Sequence, residues 1–279
     1  IRMLPAGAYL TWRQGKVRVK SYWALKFKPQ YVNRKQATEI TRTALEDSVR
    51  AHFVSDVPVG IFLSGGIDST ALVALAKKVT NKQINTYSIA FANPEWNEAD
   101  IAKRTAEHFG TNHTELTMTP MLALPLFQQY LDAVDQPTID GFNTFCVSKL
   151  AHDNGEKVVL SGLGADELFG GYKSFSMIPD MLRQSARFRP ALPVIHALNP
   201  SLQKFLPVKH RRMLDALCNP KSIAAAHRSL RGIFSSTEAA ALTAKYADKT
   251  SSPPKLPRDS FEDMADNISA VSYTHLTLP

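Results

Sequence analysis

Between residues 59 and 160, short strands rich in apolar residues alternate with helices, and this alternation constrains the fold more than any other feature. Strands are predicted at Val59–Leu63, Ile84–Phe91, His113–Leu116 and Lys157–Leu160. Apolar residues at helical spacing predict helices at Ser69–Val79, at Glu98–Phe109 closed by Gly110, after the N-cap Thr119, and at Asn143–Asp153. Parallel strands of this kind need helices on both faces. The sequence therefore predicts an α/β fold with a doubly wound parallel sheet.

The segments on either side of this alternation have different patterns. Short strands around a turn at Gln14–Gly15 predict a β-hairpin within the first 28 residues. From about Asn33 to Phe53 the apolar residues recur at helical spacing. After Pro179 the sequence has the pattern of short helices separated by prolines, the first at Met181–Arg187. We therefore expect a helical region to follow the sheet.

The composition is that of a globular protein and narrows the classes of ligand. Of 279 residues, 44% are hydrophobic and 21% are charged, which excludes an intrinsically disordered chain. No apolar run is long enough for a membrane span, and no nucleic-acid motif accompanies the basic residues, so neither a membrane nor a nucleic acid is expected as partner. The net charge of +8 favours a polyanionic ligand such as a nucleotide. Two cysteines without CxxC spacing exclude a disulfide framework and favour the cytoplasm.

A glycine-rich turn separates the first predicted strand of the alternation from the next helix. It reads Leu63-Ser64-Gly65-Gly66-Ile67-Asp68-Ser69-Thr70. Glycines allow an anion to approach the main chain closely, and the free N–H groups at a helix start attract phosphate. No lysine follows the glycines, which excludes a Walker A loop. An aspartate at a phosphate site needs a cation such as Mg²⁺ between the two anions, and the alternative is that Asp68 is only the helix N-cap.

A second turn of the same kind follows the last predicted strand. It reads Leu160-Ser161-Gly162-Leu163-Gly164-Ala165-Asp166-Glu167. Glu167 stands at the third glycine position of a dinucleotide fingerprint, so an NAD site is not expected. Both turns come at the carboxyl ends of strands, where ligands bind in open parallel sheets. We therefore expect Asp68 and Asp166 to share a Mg²⁺ ion that carries a nucleotide polyphosphate.

Together the two turns resemble those of a known family. Ser64-Gly65-Gly66-Ile67-Asp68-Ser69 is similar to the SGGxDS pyrophosphate loop of the N-type ATP pyrophosphatases. With the second turn and its continuation to Tyr172, it resembles the synthetase domain of glutamine-hydrolysing asparagine synthetases. The resemblance covers most of residues 1–180 and implies an adenine nucleotide alpha hydrolase-like fold. It also implies ATP and Mg²⁺ as cofactors, and a carboxylate that is adenylated with release of pyrophosphate and then amidated by ammonia from glutamine.

The resemblance further implies roles for individual residues. Asp68 and Asp166 would be the catalytic carboxylates that bind Mg²⁺. The residues that would contact ATP are Phe62, Ser64, Gly65, Gly66, Ser69, Thr70, Ile89, Ser161 and Gly162. Adenylation needs positioning and charge neutralisation more than a protein nucleophile, which agrees with these residue types. The alternative for Phe62 and Ile89 is that they only pack in the core.

On the family pattern the chain divides into four parts and is truncated at both ends. Residues 1–32 resemble the end of the glutaminase domain and its linker, 33–180 the ATP-pyrophosphatase domain, and 181–270 an incomplete helical part. Residues 271–279 look like a translated sequencing-adapter scar, which predicts a non-native tail. The glutaminase domain is expected as a partner missing from this chain, the fragment itself is expected to be inactive, and a homodimer is left open.

Two departures from the family bear on the acid substrate. Leu163 stands where asparagine synthetases usually carry a glutamate, and Asp135–Thr144 lacks the arginine expected to hold an aspartate carboxylate. They lead to the hypothesis that the acid is a larger carboxylate rather than aspartate. Two other functions stay open: a nucleotide-binding domain without amide-forming chemistry, and an ATP pyrophosphatase that acts on another substrate such as tRNA.

Overall fold

A computed structural model describes residues 4–24, 31–91, 98–135, 138 and 140–187, with isolated positions between 223 and 244. The chain divides into two units, one formed by Tyr31–Phe169 and the other by Ile1–Gln30 together with Gly170–Pro279. The first unit contains the parallel sheet, and the second contains a hairpin and a long helix. The domain boundaries at 33, 181 and 271 stay predictions.

The predicted hairpin is present near the start of the chain. It consists of β1 (Ala8–Arg13) and β2 (Lys16–Ser21), which pair in antiparallel fashion. The turn residues Gln14 and Gly15 both have positive φ angles, 50° and 76°. A type I′ turn requires positive φ at both central positions, and its twist matches that of the flanking strands.

Four parallel strands form the sheet of the Tyr31–Phe169 unit. They are β3 (Val59–Phe62), β4 (Asn85–Phe91), β5 (Asn112–Met118) and β6 (Val158–Leu160), in the spatial order β5-β4-β3-β6. Ile61 of β3 is aligned with Thr86 on one side and Leu160 on the other. The chain moves outward from β3 to β5 and then returns to place β6 on the opposite side of β3. This reversal makes the β3–β6 boundary the topological switch point of the sheet, where open α/β sheets bind ligands.

Helices cover both faces of this sheet. One face carries α1 (Arg34–His52), α2 (Ile67–Val79) and α3 (Ala99–Phe109), and the other carries α4 (Pro120–Ala133) and α5 (Gly141–Asp153). The core of the first face consists of Val49, Ile61, Leu63, Val73, Ala76, Ile84, Ala102 and Ala106. The core of the second face is built around Met118, Leu126 and Cys146. The doubly wound α/β fold predicted from the sequence is thereby confirmed.

Several helix ends follow local sequence signals. Asn33 and Gln36 form a reciprocal capping box at the start of α1, with N···O distances of 2.9 and 3.1 Å. Thr119 Oγ1 accepts a hydrogen bond from Leu122 N at the start of α4. Gly110 ends α3 in the left-handed conformation, with φ 61° and ψ 47°. The caps predicted at Thr119 and Gly110 are confirmed.

Two helices after β6 differ from the sequence pattern. α6 (Ala165–Phe169) is a short helix that the pattern did not indicate, and α7 (Ser174–Arg187) begins seven residues before the expected start. The predicted helices beyond Arg187 and the tail 271–279 lie outside the described residues, apart from isolated helical positions such as Ala226 and Leu242. None of the helices in the described part of the chain combines the length and apolarity that crossing a membrane requires.

A buried carboxylate next to the start of β6 forms hydrogen bonds with β4 across the intervening strand β3. Glu156 is 6% exposed and precedes β6. Its Oε1 accepts hydrogen bonds from Asn85 Nδ2 at 2.6 Å and from Tyr87 Oη at 3.4 Å, whereas Oε2 has no hydrogen-bond partner among the described residues. The pKa of Tyr87 is raised to about 12. Burial is the largest cause, and the charge of Glu156 and its hydrogen bond add to it. On the intervening strand, a Cβ at Gly60 would lie 3.1 Å from the Tyr87 ring and 3.4 Å from Glu156 Cδ.

A histidine lies among hydroxyl groups on the opposite face of the sheet. His113 Nδ1 is 2.9 Å from Thr86 Oγ1, and its Nε2 is 3.1 Å from Ser88 Oγ. Thr86 and Ser88 are buried. Burial lowers the pKa of His113, although the charge of Glu115 and a hydrogen bond with the Thr86 main chain act in the opposite direction. The folded protein therefore favours the neutral imidazole.

Acidification is expected to reduce stability through His113. The unfolded chain binds a proton at this side chain near its ordinary pKa of 6.5, whereas the folded chain does so at a lower pH. The free energy of unfolding therefore falls as the pH drops below 6.5, until the folded-state pKa is passed. Urea denaturation of the wild type and His113→Gln at about pH 7.5 and about pH 5 measures this. We expect the wild type to lose more stability than the variant, and equal losses would contradict the assignment.

Candidate functional site

Two glycine turns meet at the switch point of the sheet. The first glycine turn, residues 63–66, joins β3 to α2, and the second glycine turn, residues 161–164, joins β6 to α6. A Cβ on Gly162 would lie 3.1 Å from the carbonyl carbon of Asp68 and 3.1 Å from Ser69 N. The main chain of the second glycine turn therefore contacts the first turn of α2 directly. The prediction that both turns lie at the carboxyl edge of one sheet is confirmed.

Two serine hydroxyls hold the first glycine turn in shape. The Oγ of buried Ser69 accepts a hydrogen bond from Ser64 N at 3.2 Å and donates one to Gly66 O at 3.2 Å. Ser64 Oγ lies 3.1 Å from Ser69 Oγ and accepts a hydrogen bond from Gly66 N at 3.3 Å. These hydroxyls, predicted from the sequence as phosphate ligands, thus have partners within the turn and fix the conformation of its main chain.

The start of α2 leaves main-chain donors available to an anion. Gly66 is the N-cap residue, and no side chain caps this end of the helix. The N–H groups of the first helical residues, Ile67, Asp68 and Ser69, have no intrahelical acceptor. The alternative that Asp68 is the N-cap is wrong, because α2 begins at Ile67 rather than at the predicted Ser69. Together with the helix dipole, these donors are suited to binding an anion.

A second helix also begins at the first glycine turn. Gly65 has a φ of 83°, and a Cβ there would lie 2.9 Å from Glu98 O and 3.1 Å from Ala102 N. The start of α3 thus packs against Gly65, and the positive ends of two helix dipoles face the same turn. Sequence reasoning did not include this helix in the site. The signal was available, because α3 follows the carboxyl end of β4, the neighbour of β3 in the sheet.

Asp68 and Asp166 occupy equivalent positions just after the two glycine turns. Each lies in the first turn of the following helix, α2 or α6, and each is half-buried. Among the described residues, no three His, Cys, Asp or Glu side chains cluster so as to hold a metal ion by themselves. Mg²⁺ at nucleotide sites is usually bound by one or two carboxylates, with substrate phosphates and water completing its coordination. Two carboxylates on contacting segments fit a Mg²⁺ ion that is shared with a nucleotide.

The other predicted ligand residues occupy varied positions. Phe62 ends β3 and is half-buried. Thr70 N donates a hydrogen bond to Gly66 O within α2. Ser161 is exposed, and its Oγ accepts a hydrogen bond from Leu163 N at 3.2 Å. Phe62 thus directly precedes the first glycine turn and Ser161 is the first residue of the second, and their contacts with a nucleotide stay predictions.

Ile89 is placed differently from the other predicted ligand residues. It lies within β4, opposite Leu116 of β5, and packs against the core cluster around Met118. The structure thus accounts for Ile89 as a packing residue, and a contact with adenine stays a prediction.

Comparison with known proteins leads to the same family as the two turns. A family model described as asparagine synthase matches residues 41–273. The chain belongs to the asparagine synthase family. Asparagine synthetase 1 of Bacillus subtilis is 34% identical over 196 residues, and asparagine synthetase B of Escherichia coli is 32% identical over 197 residues. These matches cover 66% and 64% of this chain but only 31% and 35% of the relatives.

Other matches of this asparagine synthase family member are shorter or weaker. A putative asparagine synthetase of Mycobacterium tuberculosis is 42% identical over 160 residues, which is 53% of this chain and 24% of the relative. A solved ammonia-dependent NAD synthetase of Campylobacter jejuni aligns with a TM-score of 0.34 and 16% identity, over 51% of this chain and 62% of the other. That structural likeness is too low to add to the assignment.

Replacing Gly162 tests the contact between the two glycine turns of this asparagine synthase family member. In Gly162→Ala the added methyl overlaps the main chain of Asp68 and Ser69, and such overpacking typically lowers the free energy of unfolding by about 1–3 kcal/mol. Gly66→Ser is the matched control. Its φ and ψ of −71° and 163° suit a serine N-cap, and the nearest atom to a Cβ there is Ser64 Oγ at 3.4 Å.

Urea denaturation of both variants measures the effect. We expect a clear loss of stability in Gly162→Ala and little change in Gly66→Ser. Equal stability of the two variants would mean that the turns do not touch at Gly162.

Proposed function

We propose that the chain carries the ATP-dependent, amide-forming part of a ligase. In the first half-reaction a carboxylate oxygen attacks the α-phosphate of ATP, forming an acyl-adenylate and releasing pyrophosphate. In the second, ammonia attacks the acyl carbon, and AMP leaves with the bonding electrons as the amide forms. The observation that carries the proposal is the contact of Gly162 with Asp68 and Ser69. It joins two aspartate-bearing turns and an uncapped helix start at the switch point of a parallel sheet.

The first glycine turn is the proposed pyrophosphate site. Its donors are the N–H groups of Ile67, Asp68 and Ser69, and the starts of α2 and α3 add positive potential. Gly65 allows the start of α3 to lie against this turn, because a side chain there would meet α3. Ser64 and Ser69 fix the donors in place before ATP binds, which lowers the cost of ordering the site.

Asp68 and Asp166 are the proposed Mg²⁺ ligands. Two carboxylates beside a polyphosphate repel it unless a cation lies between them. When bound, Mg²⁺ neutralises negative charge on the phosphates and on the departing pyrophosphate. The carboxylates act here by positioning and charge compensation, and the reaction requires no protein nucleophile.

The proposed nucleotide contacts and the proposed source of ammonia are carried over from the asparagine synthase family. Phe62, Thr70, Ser161 and Gly162 are proposed contacts of the nucleotide. The relatives from B. subtilis and E. coli are named glutamine-hydrolysing synthetases, so the proposed ammonia source is a glutaminase domain outside this chain. Leu163 supports the hypothesis that the acid differs from aspartate.

Pyrophosphate exchange into ATP tests the adenylation step. With the full-length protein and its acid, we expect Asp68→Ala to lower the exchange rate by at least about 100-fold, since one charge-compensating group of this kind is typically worth that much. Asp47→Ala is the control, because Asp47 is an exposed acid on α1 whose ion pair with Arg50, at 2.7 Å, contributes little to stability.

Two results would contradict the proposal. Unchanged exchange in Asp68→Ala would remove the aspartate from the site. ATP binding by the wild type, without exchange in the presence of any of a broad panel of acids, would favour a nucleotide-binding domain without amide-forming chemistry. Exchange that depends on aspartate alone would reject the hypothesis of a larger carboxylate.

A further inference from the structure

Exposed apolar side chains border the contact between the two glycine turns. Ile67 directly precedes Asp68, Leu163 directly follows Gly162, and each of the two is 87% exposed. Leu168 and Phe169 of α6 are also exposed, at 67% and 58%. Single exposed apolar residues are common on protein surfaces. Four of them on two contacting segments, at the edge of the sheet where ligands bind, indicate a binding surface.

The charges of these segments limit what the surface can bind. Residues 63–70 and 160–169 contain Asp68, Asp166 and Glu167 but no lysine, arginine or histidine. A second carboxylate on the substrate would therefore meet like charges and no cationic partner in these two segments. An apolar group would instead shield Ile67 and Leu163 from water, with a gain roughly proportional to the area buried.

We propose that the acid adenylated at this site has an apolar body, aliphatic or aromatic, that packs on Ile67 and Leu163. The inference rests on the proposed function, because it takes the acid to approach a nucleotide held by the first glycine turn. Ile67 and Leu163 determine which acyl group binds and take no part in bond formation.

Stable analogues of the acyl-adenylate test this preference without requiring turnover. Phenylpropionyl-sulfamoyl adenosine and aspartyl-sulfamoyl adenosine share the nucleotide and differ only in the acyl body. Calorimetric titration of the full chain with each compound gives the two dissociation constants. We expect the phenylpropionyl compound to bind at least about 10-fold more tightly, the lower end of the discrimination that an apolar pocket provides.

A pair of matched variants tests whether the preference for an apolar acyl group is due to Leu163. Leu163→Ala is expected to weaken phenylpropionyl binding by about 10-fold and to leave aspartyl binding unchanged, because it removes apolar contact area only. Leu124→Ala is the control, since Leu124 is an exposed leucine of α4, and we expect no change in either constant. Because Leu163 is itself exposed, its truncation leaves the core intact.

The outcomes separate this inference from the proposed function. If the aspartyl compound binds equally well or more tightly, the apolar preference is wrong while the nucleotide site stands. If neither compound nor ATP binds, the proposed function fails. If Leu163→Ala and Ile67→Ala both retain the full preference, the apolar surface at the two turns is not the acyl site.

Discussion

The close approach of two main chains at Gly162 is the constraint on which the whole carboxyl edge of the sheet depends. A Cβ at this position would lie 3.1 Å from main-chain atoms of both Asp68 and Ser69, so a side chain here would push the two main chains apart. The contact exists because β3 and β6 are neighbours, with Ile61 aligned to Leu160. After β5 the chain returns across the sheet to place β6 beside β3. This reversal of strand order brings together segments that are almost a hundred residues apart in sequence.

The site has a rigid base and an exposed upper surface. Ile61 and Leu63 are almost completely buried, and Leu63 is the first residue of the first glycine turn. Hydrogen bonds of Ser64 and Ser69 then hold the turn without help from a ligand. Above this base the side chains of Ile67 and Leu163 project into solvent. Fixed donors below and apolar side chains above are suited to holding a nucleotide while different acids are distinguished.

Local sequence signals predicted most of the strands, helices and helix caps. Contacts between segments distant in sequence account for the features that these signals missed. Apolar patterns were sufficient for the central strands and the two-faced core, because β3 and β4 need cover on both sides. The caps at Thr119 and Gly110 depend on neighbouring residues only. The start of α2, the packing of α3 on Gly65 and the short helix α6 depend on how separate segments meet. Likewise, nothing near Glu156 in sequence indicates its bond to Asn85, 71 residues away.

The Glu156 cluster has a consequence for how this sheet can change during evolution. Gly60 leaves just enough space for the Tyr87 ring and the Glu156 carboxylate to lie across β3. A larger residue at position 60 would displace both, and the loss of Glu156 would leave the Asn85 amide and the Tyr87 hydroxyl without their buried acceptor. Gly60 of β3, Asn85 and Tyr87 of β4, and Glu156 just before β6 are therefore constrained as a set. Relatives with a side chain at position 60 are expected to have replaced the other three with smaller or apolar residues.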